Sequence, residues 1–342
     1  MKSTGKRNKT ISILNRILIA IVLCIAVLCG VVAILLFRQS RYLDLSVPYE
    51  TTALENTDSL SEFSMQAAAP FASELCVSEG TVTLQGVVLQ SADEKGFLLN
   101  MDTGEAIFAQ GIYDRIYPAS ITKIMTALLA IQYGNMEDQV VMEESDFNLE
   151  EGSQLSGMAA GDIVTMEQLF YALVVHSAND AAMAIARQIG GTAEHFVEMM
   201  NEEALRLGMT GTHFTNPHGL HDPEHYTTAY DIYLMLNEAF RYSMFREASQ
   251  LSVYQLTAAR ADGSEVSYRL DATDQYLTGV QTAPKDVTLL GGKTGTTDQA
   301  GSCLALIAQN AYGIPHIAII LNAQNHAVLY QDMNTLLMQI NS

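Results

Sequence analysis

The chain has 342 residues, 38 acidic and 18 basic, for a formal charge of -20, and 49% of its residues are hydrophobic. That length and apolar share are enough for one large domain or two smaller ones around a substantial core. The acidity speaks against nucleic acid as a partner, because phosphate binding needs clustered Lys and Arg, and four cysteines are too few for a disulfide-built scaffold.

The charge is unevenly spread. Residues 1–37 carry five bases and no acid, so the remaining 305 residues hold 13 bases and 38 acids, a formal charge of -25; solubility is the plain account of that excess. Ile17 to Phe37 is an unbroken apolar run of 21 residues. At about 1.5 Å per residue it is long enough to cross roughly 30 Å of hydrocarbon, and a single transmembrane helix is expected. Lys2, Lys6, Arg7, Lys9 and Arg16 precede the run and only Arg38 and Arg41 follow closely. The positive-inside rule therefore makes residues 1–16 a cytoplasmic tail and leaves the rest extracytoplasmic, on a cell-membrane protein that crosses once. A cleaved signal peptide would have a shorter apolar core and a nearby small-residue site, yet Ala67-Ala68-Ala69 lies thirty residues past Phe37.

Cys24 and Cys29 fall in the span, leaving Cys76 and Cys303 outside; whether these two pair is open. Cys303 begins the apolar run Cys303 to Ala308 and reads as a small buried hydrophobe rather than a nucleophile. Residues 38–80, rich in Ser, Thr, Glu and Ala with little sustained period, read as a stalk. A catalytic domain is expected over 81–342.

That domain opens with short strand-like pieces, Gly86 to Gln90, Gly96 to Met101 and Ala106 to Ala109. A helix follows over Tyr117 to Gln132, with Pro118 at its start and Gly134-Asn135 at its stop. The middle is mostly helical: Met166 to Val175 with a Thr165–Gln168 capping box, Asp180 to Ile189 ended by Gly190-Gly191, Ala193 to Leu207, and Ala229 to Phe240 with a Thr228–Asp231 box. Ser177-Ala178-Asn179 then falls in a tight inter-helix loop. Strands return at Val287 to Leu290, Ser302 to Ala308 and Pro315 to Leu321, before a last helix from Val328 to Ile340. The order suggests an α/β (α+β) architecture in which one antiparallel sheet, built from both ends of the chain, carries flanking helices and an inserted helical lobe. Lys293-Thr294-Gly295 would end an edge strand facing that lobe.

On the helix from Tyr117, Ser120 and Lys123 share a face. A serine hydroxyl is a weak nucleophile until a neighbour takes its proton, and a lysine amine can do so when its pKa is depressed. The helix start adds unpaired N–H groups that favour negative charge near Ser120. Alone the pattern is weak, since Ser3-Thr4-Gly5-Lys6 repeats it in a polar tail. Ser177-Ala178-Asn179 and Lys293-Thr294-Gly295 supply the context, because the ordered trio resembles the signature of penicillin-binding proteins and class A β-lactamases.

With Asp102-Thr103-Gly104-Glu105, Pro118 to Ala127, Phe214 to Leu220 and Gly291 to Thr297, the segment Leu84 to Ile340 resembles the low-molecular-mass penicillin-binding proteins that are serine D-alanyl-D-alanine carboxypeptidases. The resemblance implies a β-lactamase/penicillin-binding-protein-like fold. It also implies a peptidoglycan stem peptide as substrate, β-lactam antibiotics as covalent inhibitors, and neither metal nor organic cofactor. By it Ser120 attacks the terminal D-Ala-D-Ala bond with Lys123 as proton acceptor. Ser177 relays a proton to the leaving amine, and Asn179 steadies Lys123 and the substrate amide. Lys293 and Thr294, beside Gly295, meet the substrate carboxylate, and the oxyanion rests on the backbone N–H groups of Ser120 and Thr296.

The nearest rival is a β-lactamase, which would need a Glu to activate the deacylating water; no Glu-x-x-x-Asn follows Asn179 at a helpful position. The other is a non-catalytic wall-binding or sensor protein, against which the intact Ser120, Lys123 and Lys293 argue. His213, His218, His221 and His225 invite a metal reading, but Pro217, Gly219 and Pro223 break any helix that would align them.

Overall fold

The computed structural model describes Ser78 and residues 80–341. The expected cytoplasmic tail and membrane span, Cys76, and all but the last residues of the expected stalk lie outside them. Among the described residues no helix is long and apolar enough to cross a membrane.

Two strands open the described chain, β1 (Lys95–Asn100) and β2 (Glu105–Gln110). A 3₁₀ turn over Ala119–Thr122 leads into α1 (Lys123–Tyr133), followed by the short strands β3 (Gln139–Val141) and β4 (Ile163–Thr165). Helices α2 (Met166–Val175), α3 (Asn179–Gly190), α4 (Ala193–Arg206), α5 (Ala229–Ala239) and α6 (Ser243–Ala248) come next. The remainder is β5 (Val253–Ala259), β6 (Glu265–Asp271), β7 (Thr288–Thr297), β8 (Gly301–Gln309), β9 (Pro315–Ala323) and α7 (His326–Leu337).

The main sheet is antiparallel with order β2-β1-β9-β8-β7, so the two ends of the domain do share one sheet and β7 is its edge. Its central strands are buried on both faces, and successive side chains enter different cores. In β8, Cys303, Ala305 and Ile307 pack towards the helical lobe, while Leu304, Leu306 and Ala308 pack with Leu329, Met333 and Leu336 of α7. α1 lies inside the first core: eight consecutive residues from Lys123 to Ala130 are buried.

Several boundaries differ from the sequence reading. Residues 86–90 form no strand, because Val87 N–H closes a turn onto the Leu84 carbonyl around Gly86. The helix expected from Tyr117 becomes α-helical only at Lys123; Ala119 takes φ 48, and the residues after it are wound as a 3₁₀ turn. β7 runs ten residues to Thr297, not four, because pairing with β8 on its whole length overrides the strand-weakening glycines at 291, 292 and 295. Lys293-Thr294-Gly295 therefore lies within the strand and not at its end. The last helix starts at His326, since Asn325 caps it by accepting from Val328 N–H at 3.1 Å. The Thr165–Gln168 box is complete, whereas Asp231 gives its carboxylate to Gly211 N–H and the Thr212 hydroxyl instead of closing a box with Thr228. A second, four-stranded sheet, β3-β4-β5-β6, was not anticipated. Two of its strands are three residues long, below the length at which alternation can be read.

Candidate active site

Ser120 sits on the 3₁₀ turn, one residue past a left-handed Ala119, and Ser177 is itself left-handed at φ 61 between α2 and α3. Non-glycine residues with positive φ are uncommon and persist only where packing enforces them. For Ala119 the enforcing neighbour is Gly219, whose own φ is +85. A Cβ there would lie 1.9 Å from the Ala119 carbonyl oxygen, so only glycine admits this approach. Gly295 plays the matching role on β7. A Cβ there would be 2.9 Å from Ser120 N and 3.0 Å from the Pro118 carbonyl oxygen, so its absence lets the edge strand run directly beside the Ser120 backbone.

Lys123 Nζ is 2.8 Å from Ser120 Oγ and donates to the His218 carbonyl at 2.7 Å. The amine is fully buried, with no carboxylate among its hydrogen-bond partners in the described residues. Burial above all, and then the positive charge of Lys293, hold its pKa well below the ordinary lysine range, against a smaller upward pull from Asp180. A neutral amine has a lone pair to receive the Ser120 proton. Asp180 is fixed by Ser156, whose N–H donates to Oδ1 at 3.0 Å and whose hydroxyl makes a short bond to Oδ2.

On the other side of the cleft, Lys293 Nζ donates to Ser177 Oγ at 2.9 Å and to the Thr294 carbonyl at 3.0 Å. Burial lowers its pKa to about 7, with Asp274 opposing the fall. The charged and neutral forms are thus near balance at neutral pH before a substrate carboxylate arrives. Asp274 is held by the Tyr330 hydroxyl at 3.1 Å and Tyr276 N–H at 2.9 Å. Thr294 Oγ1 is 2.6 Å from Thr273 Oγ1, and Thr296 Oγ1 is 3.0 Å from His326 Nε2. A cleft of about 220 Å³ exposes Ser120, Ser177, Thr294, Gly295 and Thr296 together, so all three motifs meet.

Asn179 departs from expectation. It is the first residue of α3, and its buried Oδ1 has no hydrogen-bond partner. The group that steadies Lys123 is the His218 carbonyl, in the loop whose Gly219 packs under Ala119. Two histidines of that loop, His218 and His225, hold its backbone: His218 Nδ1 accepts from Leu220 N–H at 3.2 Å. His225 Nδ1 accepts from Thr215 N–H at 3.0 Å, so Nε2 carries the hydrogen and donates to Thr122 Oγ1 at 2.8 Å. Burial pushes His225 down to about 4 and His218 to about 3, leaving both neutral. Cys303 is buried, and burial pushes its thiol up to about 12, outside the range of a reactive thiolate. Gln154, Thr273 and Gln275 also line the cleft and were not picked out from sequence, since each stands in a loop without a motif.

The antiparallel sheet, the inserted helical lobe and the cleft between them are the architecture of the penicillin-binding-protein class. Within that class, residues 86–325 match the D-alanyl-D-alanine carboxypeptidase family of S11 peptidases, and the chain belongs to that family. It is 31% identical over 232 residues to the D-alanyl-D-alanine carboxypeptidase DacF of Bacillus subtilis, an alignment covering 66% of this chain and 56% of that protein. With DacA of Haemophilus influenzae the identity is 28% over 236 residues, again 56% of the relative, so the chain spans little more than half the length of these relatives. The crystal structure of the Streptomyces K15 DD-transpeptidase superposes with a TM-score of 0.66 at 25% identity, covering 75% of this chain and 97% of that one.

Proposed function

We propose that this protein is a membrane-anchored serine D-alanyl-D-alanine carboxypeptidase that trims the terminal D-alanine from peptidoglycan stem peptides. The observation that carries the reading is the buried Lys123 amine 2.8 Å from Ser120 Oγ, without a carboxylate partner among the described residues. Ser120 Oγ bonds to the penultimate carbonyl carbon while its proton passes to Lys123. The oxyanion rests on the N–H groups of Ser120 and Thr296, which the glycine at 295 allows to converge. The C–N bond then breaks, and Ser177, already bonded to Lys293, delivers a proton to the departing amine. Asn179 offers its unpartnered Oδ1 to the substrate amide N–H. Thr294, with the Lys293 charge, attracts the carboxylate, and water releases the acyl group. The segment Ile17 to Phe37 would anchor the chain, residues 38–80 would hold residues 81–342 off the bilayer, and a β-lactam would be trapped on Ser120.

The test is release of D-alanine from an acylated peptide ending in D-Ala-D-Ala, with S120A as control, alongside mass spectrometry of the penicillin adduct. Binding without release would make the protein a receptor, rapid turnover of penicillin would make it a β-lactamase, and an adduct away from position 120 would end the proposal.

A further inference from the structure

Lys293 is buried, and a buried ammonium is costly unless an opposite charge stands near it. Its Nζ spends its hydrogen bonds on Ser177 Oγ and the Thr294 carbonyl, both neutral acceptors. The opposing charge comes from Asp274, in the connection between β6 and β7. Lys293 and Asp274 line one crevice of about 10 Å³, together with Ser249, Thr273 and Gly292. That is room for about one water molecule, so the two groups act on each other with little solvent screening.

Asp274 has a cost of its own. Burial pushes its carboxyl up from the ordinary range, and Tyr276 N–H, the Tyr330 hydroxyl and Lys293 oppose that rise. The first two donate to the same oxygen, Oδ1, at 2.9 and 3.1 Å. Tyr330, itself 1% exposed, also accepts from Gln275 N–H at 2.8 Å, and its ring meets that of Tyr276 edge-on with centroids 4.9 Å apart. One turn further along α7, Asn334 accepts from the Tyr276 hydroxyl at 2.7 Å. Two successive turns of α7 therefore clamp residues 274–276 and hold the carboxylate beside the crevice. The charged or titratable groups that face Lys293 are Asp274 and, from α1, Lys123; those that face Asp274 are Lys293, Tyr276 and Tyr330.

On the carboxypeptidase reading above, we propose that Asp274 is a positioning residue of the reaction. Its carboxylate, fixed by Tyr276 and Tyr330, is the counter-charge that keeps Lys293 in its ammonium form, and α7 thereby sets the pH range over which Ser120 is acylated. The ammonium is the form that favours a neutral Lys123. Asp274 touches neither the substrate nor Ser120 and acts only through Lys293.

The experiment measures the second-order rate constant for acylation by a fluorescent penicillin from about pH 5.5 to about pH 9, in wild type, D274N and Y330F. D-alanine release from an acylated D-Ala-D-Ala peptide and thermal melts accompany it. D274N keeps the size of the side chain and the oxygen that accepts from Tyr276 and Tyr330, and removes the charge. Losing an opposite charge at short range moves a titration by about one unit or more. The alkaline limb of the profile, which follows Lys293 near 7 in wild type, should therefore fall by about one pH unit. D274N should be acylated about tenfold more slowly than wild type at pH 8 and within about twofold of it near pH 5.5. Y330F loses one hydrogen bond to the carboxylate and should move the same limb in the same direction by less. Acylation of folded D274N that is unchanged, or reduced by one factor at every pH, overturns the assignment of Asp274. Should D274N not fold, an alkaline limb in Y330F at the wild-type pH overturns it instead. A wild-type protein that neither takes up penicillin nor releases D-alanine overturns the carboxypeptidase reading and this inference with it.

Discussion

Replacing Gly295 with alanine tests whether the edge strand positions the nucleophile's backbone. The added Cβ would lie 2.9 Å from Ser120 N, 3.0 Å from the Pro118 oxygen and 3.1 Å from Ile121 N, all backbone atoms with no flexible end to swing aside. Ordinary contact begins near 3.4 Å, so the strand and the turn must separate by about 0.5 Å. The turn cannot easily give way, because Ala119 is wedged against Gly219 on its far side. The movement therefore falls on β7, which carries the Thr296 N–H away from the position shared with Ser120 N–H. Donors must stand about 2.7–3.1 Å from an oxyanion, and losing one typically slows acyl transfer about 10²–10³-fold. G295A should accordingly be acylated by a fluorescent penicillin about 100-fold more slowly than wild type, while strain of this kind removes about 1–3 kcal/mol of stability and leaves the protein folded. Acylation within about threefold of wild type, in a variant with a cooperative melt, would refute the placement of the oxyanion site.

Three further outcomes are expected. S177A removes the side-chain partner of Lys293 and, on the proposed mechanism, the proton donor to the leaving amine, so D-alanine release should slow about 100-fold through kcat, and an effect confined to KM would count against the relay. R187A strands the buried Asp146 carboxylate, which receives Arg187 Nε at 3.0 Å and Nη2 at 2.8 Å; because Arg187 is partly exposed the loss should be about 2–4 kcal/mol in urea denaturation, and less than 1 kcal/mol would contradict it. Glu94 is pushed up to about 7 by burial and then by Asp332. Its folded pKa exceeds its unfolded one, so the stability it contributes is present in acid and lost as pH rises through 7. E94Q should therefore melt higher than wild type at pH 8, with the difference vanishing near pH 5, and a pH-independent difference would remove the cause.

What could be read from the chain was what local chemistry dictates. Met166 to Val175 was placed to the residue because the Thr165–Gln168 capping box fixes its start, and the doubly buried β8 and β9 were visible as apolar runs. Ser120, Lys123, Ser177 and Lys293 were picked out by motif, and all four meet at one cleft or directly behind it. The second sheet was missed because β3 and β4 are only three residues long, and the bridge that joins them to the β5–β6 pair, Ile163 to Ala259, spans about ninety residues, a contact that no window sees. The His218 carbonyl was missed for a different reason. A backbone oxygen carries no residue signature, and only the glycine at 219, in a loop that carries the family resemblance, hinted that this segment had to approach Ala119.

The same limit bears on the two lysines. Burial lowers both, and by sequence they are equivalent amines with opposite assignments, one to accept a proton and one to attract a carboxylate. The difference comes from surroundings that no motif marks. Lys293 feels Asp274, a carboxylate in the connection after β6 held by Tyr330 of α7, and it stays near balance at about 7. Lys123 has Lys293 as a depressing neighbour, while the pull of Asp180 is weaker. Each lysine therefore helps define the other: charge retained on Lys293 by Asp274 favours neutrality at Lys123, which is the form that can take the Ser120 proton. The proposed division of labour between the two lysines rests as much on the β6–β7 connection and α7 as on the three motifs themselves.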